Sequence, residues 1–102
     1  MAIPDRSTIV SNIAVERTGA AGTVDISVNI SHTFRGDISL ILQAPDGSLY
    51  LLKASDRKDG AENINASYSG DISGNAAGTW SLQVTDNIRK DTGQLNSWSL
   101  QF

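Results

Sequence analysis

TVDISVNISH, residues 23–32, sorts its side chains two by two. Val24, Ile26, Val28 and Ile30 take one parity and Asp25, Ser27, Asn29 and Ser31 the other, the alternation of a strand with one face in a core and one in water. A helix, at 3.6 residues per turn, would scatter these four aliphatics around its circumference. His32 follows on the apolar parity, which aims the chain's single histidine inward at a strand end.

The same period recurs along the chain. Ile38, Leu40 and Leu42 predict a second strand, Trp80, Leu82 and Val84 a third, and Trp98, Leu100 and Phe102 a fourth at the C-terminus. Ile9, Ile13 and Val15 suggest an opening strand, residues 49–53 a short one, and residues 64–68 a weaker one. Glycine-rich or Pro-Asp-Gly turns fall between them at residues 18–22, 45–47, 58–60, 69–71 and 91–93. With no helical periodicity anywhere, the pattern predicts an all-β protein, an antiparallel jelly-roll sandwich forming a single domain over residues 1–102. Residues 54–62 are the most polar and read as the long connection. Met1-Ala2 reads as an added start, and Ile3-Pro4-Asp5 as the edge of a module cut from a longer chain.

Composition excludes several function classes. The 102 residues contain no cysteine, hence no disulfide framework and no thiolate nucleophile or ligand. Eight basic against eleven acidic residues, with no basic stripe interleaved with aromatics, argue against nucleic acid as a partner. No apolar run is long enough to span a bilayer, so no membrane partner is expected. A hydrolase of the Ser-His-Asp type would need His32 as its base, yet no G-x-S-x-G elbow accompanies it, and no H-E-x-x-H pair is present. The expected role of His32 is structural, closing the core with a ring nitrogen bonded to backbone. Trp80 and Trp98, each in register with apolar neighbours, are expected as core anchors. Gly78 and Gly93 are expected where backbone needs positive φ or close approach.

Three acidic residues suggest a cation. Asp37 begins one predicted strand, Asp86 ends another and Asp91 follows in the loop, and in an antiparallel sheet such ends meet. Gathered carboxylates repel unless a hard cation joins them, which makes Asp37, Asp86 and Asp91 candidate calcium ligands, with Asn87 or carbonyls completing the shell. The competing reading is that Asp37 accepts loop N–H bonds while the others are solvated. Asp56, Asp59 and Glu62, interrupted by Arg57 and Lys58, read as a solvated loop. Arg35-Gly36-Asp37 has the form of an adhesive triplet, but it leads straight into a strand rather than capping a protruding loop.

In order along the chain stand His32-Thr33, Gly36-Asp37, the alternating 38–42 segment, the Pro45-to-Gly47 turn, Gly78-Thr79-Trp80, Asp86, and a closing Gly-x-Leu-x-x-Trp-x-Leu from Gly93 to Leu100. This series resembles the P domain, or Homo B domain, of subtilisin-like proprotein convertases and of secreted bacterial proteases. The resemblance implies a jelly-roll module with no catalytic residues of its own. It would support the folding, stability or substrate choice of an adjacent catalytic domain in a secreted serine or metalloprotease. The alternative is a module that tethers an enzyme to an extracellular polymer or cell surface, for which an exposed aromatic patch around Tyr50 or Tyr68 would be the signature.

Overall fold

The computed structural model describes residues 1–4, 6–87 and 93–102. Eight strands form: β1 (Ala2–Ile3), β2 (Thr8–Val15), β3 (Ala20–His32), β4 (Ile38–Gln43), β5 (Leu49–Lys53), β6 (Ile64–Asn75), β7 (Gly78–Asp86) and β8 (Gly93–Gln101). They make two four-stranded sheets, ordered β1-β8-β3-β6 and β2-β7-β4-β5, with every pairing antiparallel. The expected antiparallel sandwich is the observed architecture.

Alternation places the core. Val24, Ile26, Val28 and Ile30 of β3 lie opposite Ile38, Leu40 and Leu42 of β4 and Trp80, Leu82 and Val84 of β7, all of them buried. Ile3, Ile64, Ile72 and Leu95 close the ends and edges of the same cluster. Trp80 is fully buried and donates its indole N–H to the Ala76 carbonyl at 2.8 Å, while Phe102 meets its ring edge-on at 5.5 Å. Trp98 is only half-buried and donates to Ser11 Oγ at 3.0 Å. It packs against the core from the margin rather than anchoring its centre.

Two local features depart from the sequence pattern. Ser69-Gly70-Asp71 is not a turn, because β6 runs through it to Asn75, paired with β3. The reason lies in the partner: β3 is thirteen residues long and offers a ladder in which Val24 opposes Gly70. Thr23 Oγ1 also donates to the Asp71 carboxylate at 2.7 Å. The second feature is a bulge where β8 meets β3 at Asn29 and Ile30, leaving Asn96 as the extra residue. That shift lets Leu95 and Trp98, three positions apart, both approach the core.

Because Leu82 sits fully buried at the middle of this interdigitation, Leu82→Ala is expected to cost about 3 kcal/mol, the usual cost of an unfilled core cavity. A denaturation midpoint unchanged by the substitution would contradict the packing.

Candidate functional site

Three of the residues singled out above, His32, Asp37 and Asp86, lie at one end of the sandwich. β3 ends at His32, β4 begins at Ile38 and β7 ends at Asp86, with Ile38 opposite Asp86 in the ladder. His32 and Asp86 keep the inward parity of their strands, and both side chains are fully sealed from solvent. The imidazole Nε2 lies 3.1 Å from Asp86 Oδ2, and the Phe34 N–H donates to Nδ1 at 3.0 Å. A nitrogen that accepts an N–H carries no proton of its own, so the ring proton sits on Nε2 and is donated to Asp86. The backbone bond to the ring is the one expected for a structural histidine. The bond to Asp86 was the one the sequence reading missed, although the signal was present: Asp86 stands two positions beyond Val84 on the same inward face.

Between β3 and β4, Arg35–Asp37 form one turn of 3₁₀ helix with Gly36 and Asp37 buried. The Phe34 N–H bonded to His32 sits immediately before this turn, so the imidazole fixes its entry. Loop 54–63 wraps around it: Gly36 N–H donates to the Asp59 carbonyl and Asp56 N–H to the Gly36 carbonyl. Arg35 Nε bonds both carboxylate oxygens of Asp59, at 3.0 and 2.8 Å, and holds that carboxyl below the usual carboxylate range. Lys53 Nζ donates to the carbonyls of Arg35 and Ile38 at 3.0 and 2.8 Å. Burial pulls its pKa down, against the opposing pull of Asp59. Asp59 is thus a half-buried clasp rather than a solvated acid, and the Arg-Gly-Asp triplet is a packed corner. Its glycine and aspartate are unavailable as an adhesive tip.

Asp37 lies beside Asp86 through the backbone as well. Its carbonyl accepts the Asn87 N–H and the Asn87 side-chain amide, both at 2.9 Å. Both acids are buried, 4% and 1% exposed. Asp91, the third expected ligand, lies outside the described residues. Among those residues, no group of three histidine or acidic side chains is arranged to hold a metal ion.

Close backbone approach explains two glycines of the series. A Cβ on Gly93 would stand 2.5 Å from the Ser31 carbonyl oxygen and 2.7 Å from the His32 ring, and one on Gly78 would strike Pro45 at 2.6 Å. Gly78 also has φ +129°, a conformation that only glycine adopts freely. These are the two reasons foreseen for them.

The chain is thus a two-sheet antiparallel sandwich whose only histidine and two of whose acids are buried at one end. The chain belongs to the proprotein convertase P-domain family, whose model matches residues 21–102. It is 40% identical, over its whole length, to part of the transglutaminase-activating metalloprotease of Streptomyces mobaraensis, covering 14% of that protein. It is 29% identical to part of the calcium-dependent protease of a Nostoc strain, matching 98% of this chain and 17% of that one. Among solved structures, the serine protease of Aeromonas sobria superposes with a TM-score of 0.81 over 97% of this chain and 24% of its own, at 20% identity. The chain therefore spans about a quarter or less of the curated relatives it matches.

The Gly36 corner gives a direct check. A Cβ there would stand 2.0 Å from the Asp56 carbonyl oxygen and 2.5 Å from that of Asp59. Gly36→Ala is expected to destabilise the fold by about 3 kcal/mol, at the upper end of overpacking costs. Equal stability, measured by urea unfolding, would show the turn to be loosely held.

Proposed function

We propose that the chain is one non-catalytic module of a secreted bacterial protease, and that it supports the folding and stability of the catalytic domain in the same polypeptide. The observation that carries this reading is the sealed His32–Asp86 pair. The residue types a hydrolase would need are present, yet the imidazole has no path to a substrate and both ring nitrogens are occupied. Relatives that are proteases, each devoting a minor share of its length to this region, supply the context. The polymer-tethering alternative needs exposed aromatics, whereas Tyr50 and Tyr68 are half-buried and packed on the core. Deleting the module from the longer protease is expected to abolish secretion of active enzyme, with activity partly restored when the separate module is supplied during refolding. Full activity and stability after deletion would refute the reading, as would hydrolysis of a peptide substrate by the module alone.

Calcium belongs to the same proposal. Asp37 and Asp86 are buried at adjoining strand ends and carry hard oxygen donors of the type calcium selects, and two relatives are named calcium-dependent proteases. Asp37, Asp86 and Asp91 would hold the ion, which would offset the mutual repulsion of the carboxylates. The thermal midpoint is expected to be higher in calcium than in excess chelator, with the difference lost in Asp37→Ala. An ion at a hundred times its dissociation constant adds about 2.7 kcal/mol to the folded state. Coincident melting curves would leave Asp37 with a purely backbone-capping role.

A further inference from the structure

The two outward faces of the sandwich differ in charge. On the β1-β8-β3-β6 sheet, outward positions include Asp25 and Asp71. On the β2-β7-β4-β5 sheet, no outward strand position holds Asp, Glu, Lys or Arg. Lys53, the one charged residue in those strands apart from buried Asp86, is turned away by a bulge beside Leu40 and spends its ammonium on carbonyls.

Apolar side chains cross this second face in a row. Val10, Ile41 and Leu51 share a line through the ladder by way of Gln83, and Leu49 stands beside it. Val10, Leu49 and Leu51 are 48%, 59% and 66% exposed, among the few large hydrophobic residues left in water. Between them the polar groups satisfy one another: Thr8 and Thr85 share a hydrogen bond at 2.8 Å, and Ser81 Oγ donates to Asn12 Oδ1 at 2.6 Å. A surface without charged side chains, with four of its polar side chains paired in this way, loses less when water is removed than a charged one would.

We infer that this face is where the catalytic domain of the same polypeptide docks. The inference rests on the accessory-module reading and adds the surface to it. Size argues for a tethered occupant. Four strands at their usual spacing and about four rows of outward residues give a patch of about 15 by 20 Å, well below what a stable association of free partners buries. A covalent link supplies an effective concentration in the millimolar range, at which such a patch suffices. The relatives provide that neighbour, since more than three quarters of each lies outside this region. A free second copy would lack that advantage.

The test places Leu49→Asp and Leu51→Asp, singly, in the longer protease and in the 102-residue chain alone, with Ser99→Asp on the opposite sheet as control. Both leucine variants should leave the melting temperature of the chain alone unchanged. In the longer protease each should shorten the thermal half-life of activity by about tenfold, the effect of losing one interface anchor, while the control leaves it intact. Carbene footprinting should label Leu49 and Leu51 at least several-fold less in the longer protein than in the chain alone. Unchanged half-life and labelling would overturn the docking face. If deletion of the module still inactivates that protease, only the face is wrong; if deletion is harmless, the accessory reading fails with it. A dimer of the chain alone that Leu51→Asp converts to monomer would assign the face to a second copy and overturn the proposal.

Discussion

The hydrogen bond from Phe34 N–H to the buried ring of His32, continued through Nε2 to Asp86, is the constraint on which one whole end of the sandwich depends. It ties the end of β3 to the end of β7 and the start of the 3₁₀ turn in a single chain of donors and acceptors. Elsewhere the two sheets are held mainly by non-directional packing, with the Trp98–Ser11 bond at the margin, and packing fixes how close they lie but not how their loops are cut off. A buried carboxylate without a donor is costly, and a neutral imidazole of the right tautomer satisfies it while accepting from the backbone. Among the described residues, the buried charged and titratable side chains are gathered at one end of this core, and there they specify a corner.

From that corner the neighbouring features follow. Once the turn is pinned, Gly36 must pass beneath two carbonyls of loop 54–63, which leaves no room for a side chain. Arg35 then binds that loop through the Asp59 carboxylate, while Lys53 holds the turn and the start of β4 through the carbonyls of Arg35 and Ile38. Gly93 crosses over the imidazole with equally little space. His32 with Gly36, and Asp86 with Gly93, come from two stretches well separated in sequence and meet at one end of the sandwich.

The sheets were legible in the sequence because alternation is a local property. Each of β3, β4, β5 and β7 announces itself through its own neighbours. What failed to show depended on distant partners. Two-residue β1 has no period to read, and its place is set by β8; Ser69-Gly70-Asp71 has turn chemistry but lies against a long strand that keeps it extended. The site was half legible. Parity turns His32 inward and does the same for Asp86, but the pairing of the two depends on β3 and β7 ending side by side, which no local pattern shows. The clasp made by Asp59 could not be read, because the loop's charges look solvated until Arg35 is brought beneath them.

The central claim is that the only histidine is a sealed structural link. Nitrogen-15 NMR of the His32 ring tests it most directly. The structure predicts the Nε2–H tautomer, with its proton protected from exchange with water and a scalar coupling from Phe34 N–H to Nδ1. An Nδ1–H tautomer, or a ring proton exchanging as fast as that of an exposed imidazole, would contradict the account and make His32 an accessible base.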